Sequence, residues 1–199
     1  WKDYILPMRT PSSAGDEEYL TPQQVLDVIN QRAPKGSMVS TDVGQHQMWA
    51  AKYLHFSYPG QLLTGGGFGT MGFGLGAAIG AQAAFPEKCV LHVTGDGCFR
   101  MNCHELCTVE HYNLPIISVV FNNGTLGMVR QWRTLFFDAR YSNTVLDRKT
   151  DFVKLAEAFG AEGHRVSTAE EFEADLARLT IEVRFSAIHS VNVRFEKTP

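Results

Sequence analysis

The run Cys89-Val90-Leu91-His92-Val93-Thr94-Gly95-Asp96-Gly97 joins an apolar segment to a polar, glycine-rich turn. Its first six residues are rich in β-branched side chains and nearly continuous in apolarity, which is typical of a strand buried on both faces of a parallel sheet. A second run of the same character covers residues 115–121 and ends at Asn122-Asn123. We therefore predict two strands of a parallel sheet, each followed by a loop of ligand-binding composition.

These two loops carry oxygen ligands. Asp96 offers a charged carboxylate, Asn123 offers a neutral amide oxygen, and 24 residues lie between Gly97 and Asn122. Doubly wound sheets bind ligands outside the carboxyl ends of their strands, and Mg²⁺ shares a few hard oxygen ligands with substrate phosphates. The pair therefore predicts a site for a divalent cation and a diphosphate. Each loop alone also fits an ordinary turn, because Gly, Asp and Asn dominate turns for local reasons.

The rest of the chain alternates between helical and strand patterns. A helix is predicted to begin after Thr21, with Thr21 as its N-cap, Pro22 at its first position and Gln24 completing a capping box. Further helices are predicted at 47–54, 71–85, 101–112, 128–136, 151–159 and 169–179, and further strands at 37–40, 61–64 and 186–193. This alternation predicts an α/β fold, a doubly wound and mostly parallel sheet with helices on both faces.

Composition and charge limit the class of protein. The 199 residues are 44% hydrophobic and 20% charged, as in an ordinary globular domain, and the net charge of −3 offers no electrostatic footprint for nucleic acid. We expect no nucleic-acid partner and no membrane span, and a cytoplasmic location. Residues 1–20 are expected to be a linker from an absent upstream domain, and residues 21–199 to form one cofactor-binding domain. The four cysteines are expected to be small buried hydrophobic residues rather than zinc ligands.

The glycine-rich segment 65–80 allows two interpretations. Gly67-Phe68-Gly69-Thr70-Met71-Gly72 satisfies the dinucleotide pattern G-x-G-x-x-G, which is a weak signal on its own. The alternative is close packing of a helix through Gly72, Gly76 and Gly80.

Several ordered motifs resemble one family of thiamine-dependent enzymes. The spacing of Gly-Asp-Gly and Asn-Asn is similar to the thiamine diphosphate and magnesium motif. The flanking sequence resembles the catalytic subunit of acetohydroxyacid synthase, also called acetolactate synthase, over about residues 21–159. The segments that carry this resemblance are Gly44-Gln45-His46-Gln47-Met48-Trp49, Gly65 to Leu75, Gly127-Met128-Val129-Arg130-Gln131-Trp132, Phe136-Phe137 and Arg140-Tyr141-Ser142-Asn143-Thr144.

The resemblance implies roles for individual residues. Asp96, Asn123 and the carbonyl of Thr125 would be the magnesium ligands, flanked by Gly95 and Gly97. The remaining implied cofactor contacts are Gln45 and His46 at the diphosphate, and the Gly69 carbonyl and Met71 amide at the aminopyrimidine ring. Met128 would be a wall near the thiazolium, and Trp132 would shape the pocket for the second substrate. From the residues alone, His46 also fits a solvated or capping histidine, and Met128 and Trp132 fit ordinary core packing.

The resemblance also implies an activity that this chain would not perform alone. The family condenses two pyruvates, or pyruvate and 2-ketobutyrate, with loss of carbon dioxide in branched-chain amino-acid biosynthesis, and its intact enzyme also binds FAD. The activating glutamate comes from the pyrimidine-binding domain of a neighbouring subunit, so a homo-oligomer of at least two subunits is implied, and a regulatory subunit is possible. The alternatives are a subunit of another thiamine-dependent 2-keto acid decarboxylase, or a non-catalytic cofactor-binding remnant.

Overall fold

The computed structural model describes residues 19–146, 150–181 and 186–192. Its six strands form one sheet in the order β2-β1-β3-β4-β6-β5, and every neighbouring pair is parallel. The strands are β1 Met38–Thr41, β2 Leu62–Thr64, β3 Val90–Gly95, β4 Ile116–Asn122, β5 Glu162–Val166 and β6 Ala187–Asn192. The predicted parallel α/β sheet is confirmed.

Eight α-helices accompany these strands within the described residues. They are α1 Pro22–Arg32, α2 Gln45–Tyr53, α3 Phe73–Ala84, α4 Asp96–Asn102, α5 Leu106–His111, α6 Gly127–Phe136, α7 Phe152–Phe159 and α8 Ala169–Ile181. The predicted capping box is confirmed, because Thr21 accepts from the Gln24 amide while the Gln24 side chain accepts from the Thr21 amide. Two backbone groups at the start of α1 are thereby satisfied.

The helices pack on both faces of the sheet. On one face, side chains of α1, α2 and α8 such as Leu26, Trp49 and Phe172 join a buried cluster with alternate strand residues. On the other face, α3, α4, α5 and α7 form a second buried cluster, in which Phe99 and Phe152 meet edge to face. The doubly wound arrangement predicted from the alternation is therefore confirmed.

Some local predictions were wrong. Strand β5 was not predicted. The single helix expected over residues 101–112 is instead divided between α4, which begins directly after β3, and α5, with a 3-10 turn at Cys103–Glu105 between them. Cys98 is buried as expected, but Cys107 is exposed. The predicted linker at residues 1–20 lies almost wholly outside the described residues, as does the end of the chain from residue 193. None of the described helices has the length and apolarity needed to cross a bilayer.

Gly163 in β5 allows α7 to approach the sheet closely. A Cβ atom at Gly163 would lie 2.7 Å from the backbone oxygen and 2.9 Å from the Cα of Val153, and neither atom can rotate away. A Cβ at Gly76 in α3 would meet no atom within 4 Å. The two glycines therefore offer a matched pair of substitutions.

We predict that Gly163→Ala lowers the free energy of unfolding by about 1–3 kcal/mol, because α7 must move off the sheet. Gly76→Ala should instead raise the free energy of unfolding by roughly 0.5–1 kcal/mol, since alanine is the better helix former. Urea unfolding followed by circular dichroism measures both. Equal effects of the two substitutions would contradict the close contact at Gly163.

Candidate functional site

A cleft lies where the carboxyl ends of β1, β3 and β4 meet, at the edge of the sheet where ligands of such folds bind. It is lined by Val43, Gly44, Gln45, His46, Trp49, Met71, Gly95, Asp96, Gly97, Cys98, Phe121, Asn123, Thr125, Leu126, Gly127, Met128 and Val129. Nine of the predicted site residues are in this lining. Gly69 and Trp132, also predicted, are outside it.

Asp96 connects the two predicted loops. Its Oδ1 atom accepts from the Gly97 amide at 2.9 Å, and its Oδ2 atom accepts from the Gly124 amide at 2.9 Å. The residue is only 2% exposed, and burial raises the pKa of its carboxyl group although these two amides oppose that effect. A bound cation would lower this pKa, so the site is suited to a positive charge.

The loop after β4 is held by a hydrogen bond between two of its own residues and by hydrogen bonds to a neighbouring segment. Asn123 Oδ1 accepts from the Thr125 amide at 3.1 Å, which leaves a second lone pair on that oxygen. Thr125 Oγ1 and the Leu126 amide both donate to the Thr144 carbonyl at 2.8 Å. These bonds hold the amide oxygen of Asn123 and the backbone of Thr125 beside Asp96 in the cleft.

His46 and Gln45 stand at the start of α2 and bring polar atoms into the cleft. Both residues are buried, and His46 Nε2 and Gln45 Oε1 have no hydrogen-bond partner among the described residues. Burial lowers the pKa of His46 to about 4, so its ring is neutral at neutral pH. The alternative that His46 is a solvated histidine is wrong. Buried polar atoms without a partner are the groups that a polar ligand would satisfy.

Glycines leave space for the His46 ring. A Cβ at Gly44 would lie 2.7 Å from His46 Cε1, and a Cβ at Gly95 would lie 2.9 Å from His46 Nδ1. The ring is thereby confined between the loop after β1 and the end of β3. Within this frame the residues fit a diphosphate and its divalent cation, since they combine an anionic ligand, neutral oxygens and orphaned polar atoms.

The glycine-rich segment behaves differently from its predicted packing role. Gly76 and Gly80 are exposed, and a Cβ at either would meet nothing within 4 Å, so close packing there is wrong. The tight position is Gly74, where a Cβ would lie 2.6 Å from His92 Nε2. Gly72 adopts a left-handed conformation with φ of 85° at the N-cap of α3, which glycine allows without strain. This conformation starts the helix directly after Met71, which lines the cleft.

A buried network behind the cleft was missed by the sequence analysis. The Asp42 carboxylate accepts from the Gly74 amide at 2.8 Å and from Thr94 Oγ1 at 2.6 Å, and His92 Nε2 lies 3.0 Å from it. Burial alone would raise the pKa of Asp42. Hydrogen bonds from His92, Thr94 and Gly74, together with the charge of His92, lower this pKa to about 2. The sequence signal for this network was the pair of polar residues His92 and Thr94, two positions apart in the otherwise apolar strand β3. Ser118 of the neighbouring strand β4 extends the network, because its Oγ lies 3.2 Å from His92 Nδ1.

Met128 and Trp132 lie on α6 but line different cavities. Met128 in the first turn faces the cleft. Trp132, one turn further, is 58% exposed, packs edge to face on Phe136 and lines a shallow pocket with Val129, Arg133, Phe137 and Arg140. The alternative of core packing is therefore wrong for Trp132. The exposed apolar residues of this helix and its end form the α6 surface: Val129, Trp132, Leu135, Phe136 and Phe137.

Comparison with known proteins identifies the kind of domain. Residues 42–190 match the family described as thiamine pyrophosphate enzyme, C-terminal TPP binding domain. The chain is 48% identical over 181 residues to the acetolactate synthase isozyme 2 large subunit of Escherichia coli. The aligned region covers 88% of this chain and 33% of that protein. It is 42% identical over 179 residues to the acetolactate synthase large subunit of Corynebacterium glutamicum, covering 86% of this chain and 29% of that protein. The chain thus spans about a third of the length of these relatives.

A solved structure shares the architecture. The thiamine diphosphate-dependent 4-hydroxybenzoylformate decarboxylase of Rhodococcus jostii RHA1 superposes with a TM-score of 0.86 over 96% of this chain and 35% of its own, at 26% sequence identity. The likeness therefore extends over nearly the whole chain.

We predict that Asp42→Asn lowers the free energy of unfolding at neutral pH by about 1–3 kcal/mol, because it replaces charge-assisted hydrogen bonds with neutral ones. The native pKa is about 2 and the ordinary value is 3.8, so the folded state favours the ionised form. This contribution, on the order of 2 kcal/mol, is complete above the ordinary pKa and is lost as pH falls from about 4 towards 2.

Urea unfolding of both proteins at several pH values from about 3 to 7 measures this effect, with Asp27→Asn on α1 as the control. The difference between the original chain and Asp42→Asn should shrink below about pH 4. A difference that stays constant over the whole range would contradict the lowered pKa of Asp42.

Proposed function

Because this chain belongs to the thiamine pyrophosphate enzymes, whose C-terminal TPP binding domain matches residues 42–190, we propose that it is the cofactor-binding part of an acetolactate synthase. The complete enzyme would condense two pyruvates, or pyruvate and 2-ketobutyrate, with loss of carbon dioxide. The observation that carries the proposal is the convergence of Asp96, Asn123 and Thr125 with the orphaned polar atoms of Gln45 and His46 in one cleft. The 48% identity to an acetolactate synthase supports the choice of reaction.

Metal binding is assigned to the loops after β3 and β4. Asp96 would provide the anionic oxygen, Asn123 Oδ1 a neutral one, and the Thr125 carbonyl the backbone ligand for Mg²⁺, whose remaining positions go to water and diphosphate. The Gly97 and Gly124 amides keep the Asp96 carboxylate oriented, at 2.9 Å each. Such preset ligands reduce the cost of ordering the site when the ion binds.

Thiamine diphosphate, when bound, supplies the nucleophilic carbon and the electron sink for decarboxylation. The chain would supply binding and orientation. Neutral His46 and Gln45 would contact the diphosphate, whereas the Gly69 carbonyl and Met71 amide would position the aminopyrimidine ring. Met128, which lines the cleft, would exclude water from the reacting centre, and Gly95 and Gly97 would allow the backbone to approach the ligand closely.

The α6 surface is the proposed location of the pocket for the second substrate and of the contact with the domain that carries the activating glutamate. Trp132 lies beyond the cleft and is 58% exposed, as expected of a pocket that another part of the enzyme completes. We propose that the pyrimidine-binding domain of a neighbouring subunit covers this side and provides the activating glutamate, within a homo-oligomer of the intact enzyme. Binding of FAD and of a regulatory subunit, and a cytoplasmic location, would belong to that complete enzyme.

A different thiamine-dependent 2-keto acid decarboxylase is the second candidate. It is supported by the TM-score of 0.86 to a 4-hydroxybenzoylformate decarboxylase. Sequence identity to that protein is 26%, against 48% to an acetolactate synthase, so the synthase is favoured. A cofactor-binding remnant without catalysis is the remaining alternative, and the chimera described below separates all three.

We predict that the chain binds thiamine diphosphate in the presence of Mg²⁺ and that Asp96→Ala weakens this binding at least about a hundredfold. The substitution removes the anionic ligand of the site, and a hydrogen-bonded charge of this kind is worth roughly 3 kcal/mol or more. Calorimetric titration with and without Mg²⁺ measures the effect, with Asp27→Ala on α1 as the control variant. Retained affinity in a folded Asp96→Ala protein would refute the metal assignment.

We predict that a chimera forms acetolactate when this chain replaces the matching third of the Escherichia coli isozyme 2 large subunit. In that chimera Trp132→Leu should change the preference between 2-ketobutyrate and pyruvate about tenfold, while cofactor affinity stays nearly constant, because a pocket wall discriminates by shape. Tyr112→Leu, at an exposed aromatic residue outside the cleft, is the control.

Product analysis of the chimera decides between the candidates. Release of an aldehyde without condensation would favour a decarboxylase. A folded chimera that binds cofactor and turns over no 2-keto acid would favour the non-catalytic remnant.

A further inference from the structure

A second group of ligand-type side chains lies near the edge of the sheet formed by β5 and β6, away from the cleft. His164 in β5 and His189 in β6 are direct partners in the parallel register, so their side chains lie on the same face. Asp175 of α8, which packs over this face, completes the group. We refer to His164, Asp175 and His189 as the histidine–aspartate cluster.

The three residues direct ligand atoms towards one another. Asp175 Oδ2 lies 3.3 Å from His164 Nδ1 and 3.9 Å from His189 Nε2, and one ligand atom from each residue falls within 4.8 Å of the others. The two rings are stacked, with centroids 5.0 Å apart. Bonds of about 2.0–2.2 Å from each atom to a common ion need only small side-chain adjustments from this arrangement.

His189 is the unusual member of the cluster. It is fully buried, and neither of its ring nitrogens has a hydrogen-bond partner among the described residues. A neutral imidazole always carries one donor and one acceptor, and each buried group left unsatisfied costs about 1–3 kcal/mol. Its neighbour Phe172 packs edge to face on the ring and offers no polar atom. A ligand for Nε2 would remove part of this cost.

His164 shows the outer contacts that metal-bound histidines have. Its Nε2 atom lies 3.1 Å from Glu162 Oε2, and Arg178 donates to the same carboxylate at 2.6 Å and lies 3.4 Å from His164 Nε2. When Nε2 donates its hydrogen to Glu162, Nδ1 is free to bind an ion beside Asp175.

We propose that His164, Asp175 and His189 bind a zinc ion that fastens α8 to strands β5 and β6. Two imidazoles and one carboxylate match the ligand preference of Zn²⁺, whereas Mg²⁺ requires oxygen ligands. A water molecule would take the fourth position, on the side where the side chains of His164 and Asp175 are 21% and 31% exposed. The ion would thereby join two strands and one helix.

The charges of the surroundings agree with a cation at this place. Glu162 is paired with Arg178, so their charges balance, and Asp175 contributes the remaining negative charge of the cluster.

The test uses the purified chain with Zn²⁺ alone, in competition with a chromogenic chelator, and Co²⁺ as a spectroscopic substitute. We expect one Zn²⁺ per chain, visible absorption typical of tetrahedral Co²⁺, and a higher unfolding temperature with Zn²⁺ that a chelator reverses. Asp175→Asn and His164→Gln should each weaken Zn²⁺ binding at least about tenfold, since even outer-shell changes cost this much. Both residues are partly exposed, so these variants avoid the cavity that His189→Ala would create.

Two controls locate the ion. His104→Gln changes an exposed histidine that lies beside Glu105, and it should leave Zn²⁺ affinity unchanged. Asp96→Ala should also leave it unchanged, so a failure of the thiamine diphosphate site and a failure of the zinc site give different results. Absence of stoichiometric binding, or a Zn²⁺ affinity in Asp175→Asn and His164→Gln equal to that of the original chain, would overturn the proposal and leave Asp175 as a partner of His164 alone.

Discussion

The carboxylate of Asp42 is the point at which three parts of the chain meet. It stands directly after β1, receives hydrogen bonds from Thr94 in β3 and from the Gly74 amide in the first turn of α3, and contacts His92. A buried charge is tolerated only when it is fully hydrogen-bonded, so each of these segments has one well-defined position relative to the others. The cleft residues follow within a few positions: Gln45 and His46 after Asp42, Asp96 after Thr94, and Met71 before Gly74. The shape of the cleft is therefore set from behind, by a buried group that is not part of the cleft lining.

Asp96 joins the loops in front of the cleft in the same way. Its two oxygens bind backbone amides from the ends of β3 and β4, and the Thr144 carbonyl fastens the second loop from the other side. A residue proposed to hold a cation thus also holds the loops that supply the other ligands. Because backbone amides provide these contacts, they stay available whatever side chains occupy the loops, and the ligands are ordered before an ion arrives.

The sequence was sufficient for those features that depend on local chemistry or on one strand. The capping box at Thr21, the apolar runs of β3 and β4 and the loops that follow them were all predictable from residue type and spacing. Strand β5 was not, because Glu162-Gly-His-Arg-Val166 has only one buried residue and owes its strand conformation to pairing with β6. The Asp42 network joins residues up to 52 positions apart, which no single window shows. Trp132 and Met128 share a helix face as their spacing indicates, yet one turn of 5.4 Å separates them along the axis, which is enough to put them in different cavities.

The outer strands of the described sheet are both short. β2 has three residues, and β5 has five, among which Glu162, His164 and Arg165 carry polar or charged side chains. A long, flat and apolar outer strand would invite backbone pairing with another molecule, and such pairing continues without limit into fibres. Short outer strands with charged side chains disfavour such pairing. Association through side-chain surfaces, in contrast, depends on shape complementarity, which limits the number of partners.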